Sequence, residues 1–277
     1  MPLSVIKFNG EEELFSKQKV YKSARKCGAS KKLAEEVSKI IEGEIYSGIK
    51  TLEIFRRVKS LLSRAEPGAA LKFNLKKAIR KLGPTGFPFE EYVREILREE
   101  GFRVKDNRYI RGKCCEYEID FLAEKGKILY VGECKYRNLL EGKVHSPVAL
   151  ESYAKFLDIS NGGFFNKSTQ LKSFIVSSAK FTKKTIRYSN CVGIKLLGWN
   201  YPRNKGLEYL ISNHKLYPIT ILSSLNRYLV EVLMEERIMS VQDLLDCGVD
   251  KLYRRTKIPK KKLNLLIKEA ETLLGGK

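Results

Sequence analysis

The chain has 277 residues, 43% hydrophobic and 31% charged, a balance that fits a folded globular protein and excludes a disordered one. Its 53 Lys and Arg against 32 Asp and Glu leave a net charge of +21, which favours a polyanionic partner, nucleic acid first. No apolar run approaches the ~20 residues that span a bilayer and the first residues lack a signal-peptide core, so a cytoplasmic protein with no membrane contact is expected.

The six cysteines, Cys27, Cys114, Cys115, Cys134, Cys191 and Cys247, form no Cys-x-x-Cys pair, and only His145 and His214 could join them. Structural zinc wants thiolates and imidazoles at short paired spacings, so free thiols are expected.

In chain order, Val5–Lys7 and Glu13–Phe15 read as a hairpin turned by Asn9-Gly10, a strong short-range turn pair. Helical patterns follow near 17–27, 31–46 and 52–63, with Ser30 and Thr51 where N-caps would stand. After Glu66-Pro67-Gly68 another helix is expected, running through Leu82. Gly83-Pro84-Thr85-Gly86 then breaks the chain and marks a domain boundary. Phe89, Val93, Ile96 and Leu97 form the stripe of a new helix, ended by Gly101. Strands are expected at 102–110, 116–123 and 128–136, a helix at 147–159, a strand at 171–178, a helix at 182–189 and a strand at 191–197. Strands mixed with covering helices imply an α/β core. From Tyr217 onward the pattern is helical, with basic residues concentrated between Lys251 and Lys262.

Chemistry concentrates on two of these strands. Closing a turn at Lys125-Gly126 pairs Ala123 with Ile128 and Asp120 with Val131, so even positions of one strand meet odd positions of the other. Asp120 and Glu133 then share a face as diagonal neighbours, their backbones ~7–8 Å apart, close enough to lean onto one hard cation. Lys135 follows two residues on, on the same face, where an ammonium can neutralise a phosphate or hold a water. A metal, a positioned water and charge stabilisation are what phosphodiester hydrolysis needs. Glu133-Cys-Lys135 alone reads better as a solvated strand face. The preceding Ile128-Leu-Tyr-Val-Gly132 instead reads as a buried central strand, where a Glu and a Lys need a reason to be.

Glu118-Ile-Asp120-Phe followed by Val131-Gly-Glu133-Cys-Lys135 resembles the signature of the PD-(D/E)xK nucleases, specifically the Mrr-like restriction endonuclease group, over residues 84–200. Gly86-Phe-Pro-Phe-Glu90 resembles the first-helix motif of that group, and Phe181-Thr182 with the helix to Tyr188 a further element. The resemblance implies a restriction-endonuclease-like α/β core with a mixed sheet. It implies Mg2+ or Mn2+ held by Asp120, Glu133 and the backbone carbonyl of Cys134, with Lys135 by the water and Glu90 in support. Tyr117 departs from the pattern, which often carries His there.

The first 83 residues resemble an ATP-cone, a mostly helical nucleotide-binding regulatory module with a small β-hairpin, through Val5-Ile-Lys7-Phe-Asn-Gly10, Phe15, Lys19-Val20 and Ile49-Lys-Thr51. By that resemblance Val5, Lys7, Glu13, Phe15, Lys19, Val20 and Thr51 would bind ATP or dATP. Without it, a basic surface on a small helical domain is the other reading. No Gly-x-x-x-x-Gly-Lys-Ser/Thr occurs, so sensing rather than powered motion is expected. The tail, Ile238-Met-Ser-Val-Gln-Asp-Leu-Leu with Leu252–Leu274, resembles a helix-hairpin-helix DNA-binding domain, although Lys257-Ile-Pro-Lys-Lys-Lys262 replaces the usual Gly-x-Gly; a plain helical cap is the alternative. Tyr153, Lys155 and Trp199 are further candidates for the DNA side, while His145 and His214 read as solvated or packed.

Three domains are therefore expected, at 1–83, 84–213 and 214–277. Together they would make a metal-dependent DNA endonuclease modulated by an adenine nucleotide, with a homo-oligomer left open. Two alternatives stand beside it: a non-catalytic nucleotide-sensing DNA-binding regulator, and a repair or RNA nuclease of the same fold.

Overall fold

The computed structural model describes residues 3–82, 87–106, 108–137, 142–166 and 168–275. The expected break at Gly83-Pro84-Thr85-Gly86, and with it the start of the Gly86–Glu90 motif, lies outside the described residues. The chain forms two compact units: Met1–Ala78 together with Tyr217–Lys277, and Ile79–Leu216. No helix among the described residues is long and apolar enough to cross a membrane.

The first unit opens with β1 (Ser4–Ile6) and β2 (Glu12–Leu14), then α1 (Lys17–Lys26), α2 (Lys31–Glu44), β3 (Ile49–Lys50), α3 (Thr51–Ala65), α4 (Pro67–Phe73) and α5 (Leu75–Ile79). Gly10 takes the positive φ (+83°) that the Asn-Gly turn demands. Both strands lie one residue earlier than expected, with Val5 opposite Glu13. β3 is too short to show as a periodicity, yet it pairs in parallel with β1 and completes a three-stranded sheet. Ser16 and Ser30 cap α1 and α2 through their hydroxyls. Thr51 is not a cap: strand pairing carries the chain through Lys50, so Thr51 is the first helical residue, and no side chain caps α3. The helix expected through Leu82 is interrupted at Asn74.

The second unit contains α6 (Phe87–Glu99), β4 (Arg103–Lys105), β5 (Arg108–Arg111), β6 (Glu116–Ile119), β7 (Phe121–Lys125), β8 (Ile128–Lys135), β9 (Lys143–Val144), α7 (Ser146–Ser160), β10 (Gln170–Ser177), β11 (Lys180–Phe181), α8 (Lys183–Val192), β12 (Lys195–Leu197) and α9 (Leu207–Asn213). Its main sheet runs β12-β10-β8-β7-β4. β8, β10 and β12 are parallel, and β7 and β4 antiparallel, so the α/β class with a mixed sheet holds. Two expected strands each divide. The stretch 102–110 splits into β4 and β5, and 116–123 into β6, which pairs with β5, and β7, which joins the main sheet.

The turn between β7 and β8 also differs. Gly126 and Lys127 form a two-residue loop and Lys125 pairs with Ile128, so Ala123 faces Tyr130 rather than Ile128. The cause is local. A loop at Lys125-Gly126 would put both residues at positive φ, which costs a lysine; with Gly126 first in the loop, at φ +63°, Lys125 is not at positive φ and stays in the strand. A pairing slide of two keeps every side chain on its expected face.

After Tyr217 come a short 3-10 turn (Ile219–Ile221), α10 (Arg227–Glu235), α11 (Val241–Cys247), α12 (Val249–Thr256) and α13 (Lys260–Leu274). A capping box of Ser240 and Asp243 starts α11. Lys257 at φ +58° ends α12, standing in the left-handed conformation that a glycine would otherwise supply. α13 packs on α4, so closely that a Cβ on Gly68 would lie 2.7 Å from the Thr272 carbonyl oxygen. The tail, expected as a separate domain, shares one compact unit with the N-terminal elements.

Candidate active site on the central strands

β8 is the middle strand of the main sheet. Val131 clusters with Ile159 of α7, so alternation turns Glu133 and Lys135 toward the same helix. Gly132 pairs with Phe121, and a Cβ there would sit 2.1 Å from that ring; only glycine fits beside the glutamate.

Asp120 occupies the bend between β6 and β7, opposite Glu133 when the observed register is continued by one step. Its N–H donates to the Gly132 carbonyl (3.1 Å), its Oδ2 accepts from the Cys134 N–H (2.5 Å), and its carbonyl accepts from Arg94 (3.0 Å). The Glu133 carboxylate lies between two ammonium groups, with Lys135 Nζ 2.6 Å from Oε1 and Lys155 Nζ 2.9 Å from Oε2. Lys155 also donates to the Glu118 carbonyl. Glu90, in the first turn of α6, is half-buried.

Burial pushes the Asp120 carboxyl up to about 7, helped by the charges of Glu133 and Glu90 and opposed by the Cys134 N–H and Lys155. Burial acts on Glu133 in the same direction, but Lys135 and Lys155 outweigh it and hold that carboxylate below its ordinary range. Burial lowers the Lys135 ammonium, yet its bond to Glu133 wins and raises it, so it stays charged. Glu90 is raised by burial, against Arg94 and with help from Glu118 and Glu133.

These groups suit a hard divalent cation. Asp120 is a half-buried carboxylate short of compensating positive charge, next to a second carboxylate. Among the described residues no three His, Cys, Asp or Glu side chains gather into a cage, so a cation here would rest on one or two carboxylates and complete its shell with waters.

The structure thus brings together Glu90, Asp120, Glu133, Cys134 and Lys135. Sequence reasoning missed Arg94, only 3% exposed, and ranked Lys155 no higher than Tyr153 and Trp199. A signal for Lys155 existed: Ala149, Ser152 and Ile159 are the buried stripe of α7, and position 155 falls in it at helical spacing. Tyr153 packs instead against Phe156 and Tyr188, and Trp199 is buried. Tyr117, where the pattern often has His, bonds Asp158, and desolvation followed by that bond pushes its phenol up to about 12. His214 pairs with Glu100 at 2.6 Å.

In the other unit, Val5, Glu13, Phe15, Lys19, Val20 and Thr51 line one cavity of about 190 Å³. Of the residues expected there only Lys7 is outside its lining, and it pairs with Glu13 (3.2 Å), which also holds Lys19 (3.1 Å). Phe55 and Phe73 stack at 4.8 Å in its apolar wall.

An uncharacterized protein of Archaeoglobus fulgidus is 35% identical to this chain over 182 residues, 65% of this chain and 98% of that protein. Residues 217–274 match the family model described as AF1548-like, C-terminal. The chain belongs to the AF1548-like family. The crystal structure of AF1548, a protein of unknown function, superposes on it with a TM-score of 0.59 at 34% identity, covering 70% of this chain and all of that one. AF1548 therefore shares most of the architecture. Two further solved structures align at a TM-score of 0.33, too low to bear on fold or function. They are MspJI restriction endonuclease in complex with a 27-mer oligonucleotide (12% identity, 59% of this chain and 39% of that one) and Can2 from Sulfobacillus thermosulfidooxidans in complex with cyclic tetra-adenylate (17%, 74% and 64%).

Proposed function

We propose that the chain is a metal-dependent endonuclease that hydrolyses DNA phosphodiester bonds. The observation that carries this is the half-buried pair Asp120 and Glu133, held opposite each other at the β7–β8 pairing with two ammonium groups within 2.9 Å of the Glu133 carboxylate. A solvated strand face would not draw both carboxylates partly out of water, nor spend two lysines on one of them. Asp120, Glu133 and the Cys134 carbonyl would hold Mg2+ or Mn2+, which when bound polarises a phosphodiester and lowers the pKa of water. Lys135, protonated and rigidly placed, donates to a phosphate oxygen as negative charge develops on it. Lys155 supplies a second cation on the same side. Glu90, more basic than an ordinary carboxylate, accepts a proton from a neighbouring water. The net charge of +21 supplies attraction to the backbone, independent of sequence.

The cavity of the terminal unit supports a second element of the proposal, a regulatory adenine nucleotide. Val20, Phe15 and Phe55 offer an apolar slot for a base, and Lys19 at its mouth a partner for phosphate. Pure full-length protein incubated with single- and double-stranded DNA, branched DNA and RNA, with Mg2+ or Mn2+, with and without ATP or dATP, tests both parts. Metal-dependent cuts in DNA are expected, altered in rate by the nucleotide in wild type and unaltered in Lys19→Ala. Cuts confined to RNA would reassign the substrate, and binding without cuts of any kind would favour a DNA-binding regulator.

A further inference from the structure

A second cavity of the terminal unit, about 330 Å³, lies where α3 and α4 meet α13. It shares no lining residue with the cavity around Lys19, although α3 and α4 border both. Lys59 lines it from α3, Lys268 from α13, and Ser63 and Ser223 add hydroxyls, while Leu71 and Leu265 form an apolar wall.

Lys59 is half-buried and makes no hydrogen bond or ion pair with any described residue. Burial holds its ammonium below the ordinary value, and Lys77 pushes the same way against a weaker pull from Glu269. Glu269, which also lines the cavity, makes no ion pair with it: its carboxylate takes the N–H and the hydroxyl of Ser224 at 3.1 and 2.9 Å. A partly desolvated cation with no partner is unfavourable unless an anion completes it. Two ammonium groups with two hydroxyls beside them match a dianion rich in acceptor oxygens better than a single carboxylate. The cavity is of ligand size, and the apolar lining beside the lysines calls for a body attached to the anionic head. A nucleic-acid backbone, a rod that meets exposed lysines along a groove, has no such body to seat.

We propose that this cavity binds a small phosphate ester, its phosphate between Lys59 and Lys268 and its apolar portion against Leu71 and Leu265. Calorimetry on the full-length chain with phenyl phosphate and with inorganic phosphate tests it. Phenyl phosphate should bind wild type and Lys19→Ala alike, and more tightly than inorganic phosphate. Lys59→Met and Lys268→Met should each weaken it about tenfold or more, the scale of a lost charge-assisted contact. Lys59→Met removes an unpaired charge and should melt no lower than wild type in phosphate-free buffer; Lys268, being exposed, gives a variant whose folding is not at issue. Three results would overturn the proposal: no heat from wild type at millimolar phenyl phosphate, equal affinity in both lysine variants and wild type, or inorganic phosphate binding as tightly as the ester. A loss of DNA affinity in Lys59→Met without ester binding would overturn it too, and would give Lys59 to the nucleic-acid backbone.

Discussion

Lys135 and Asp120 differ in what they do before any substrate arrives. The Lys135 ammonium is already fixed against Glu133 at 2.6 Å, so it needs no reorganisation when charge builds on a phosphate. Lys135→Ala should therefore lower kcat by about 10²–10³-fold, as loss of a preorganised transition-state donor does, with a much smaller change in KM. Single-turnover cleavage at saturating DNA measures it; full rate regained at saturation would make the lysine an anchor only. Asp120 carries strain of another kind. Its carboxyl titrates at about 7 in the folded chain against an ordinary 3.8, so between those values the folded state binds the proton more strongly than the unfolded one. Wild type accordingly loses stability as pH rises through that window, and nothing further above it. Asp120→Asn has no proton to lose. In chelator its stability advantage should open from pH 4 to 7 and then level at about 2–4 kcal/mol, read from melts across that range. A difference that does not vary with pH would show that the carboxyl is not held protonated.

At the scale of elements, the central strand β8 does most to make the site. Phe121, fully buried and edge-on to Phe174 at 5.7 Å, leaves room on β8 for glycine alone. Gly132→Ala should cost about 1–3 kcal/mol through overpacking and displace Glu133. The check is a paired measurement of melting temperature and metal affinity, in which both should fall; an unchanged pair would mean the strand yields freely. The apolar run before Glu133, the alternation that puts Glu133 with Lys135, and the turn signal at Gly126 were all legible in the sequence. Registry was legible only to within one turn residue, because Lys125-Gly126 and Gly126-Lys127 both fit a two-residue loop, and Gly126 takes positive φ in either; the conformation of Lys125, which stays paired with Ile128, makes the choice. The bend at Asp120 was not legible, since β6 leaves for another partner, β5, and nothing local in Glu116–Lys125 announces a change of sheet. Lys155 and Arg94 reach the site from helices, and their distance in sequence hid them: a charged residue in an apolar stripe gains meaning only once its partner across the fold is known.

For the whole molecule, the first 78 residues and the last 61 belong to one compact unit. The buried Leu266 and Leu273 of α13 and the buried Ala69, Ala70 and Leu71 of α4 lie on helices that pack together, and each large side chain so covered is worth about 1.5–3 kcal/mol. Nucleotide effects are therefore to be measured on the full chain, where that core is intact. A long helical tail with no strand signals reads as an appendage, because sequence periodicity reports which face is buried and never against what. The central claim, that Asp120 and Glu133 bind the metal that makes this protein a nuclease, is tested most directly by DNA cleavage and DNA affinity measured side by side in wild type, Asp120→Ala and Glu133→Ala, each with its folding verified. Wild type should cut only with Mg2+ or Mn2+, and both variants should stop cutting while binding DNA with nearly unchanged affinity, since the lysines that meet the backbone remain. Cleavage at the wild-type rate by either folded variant would contradict the account.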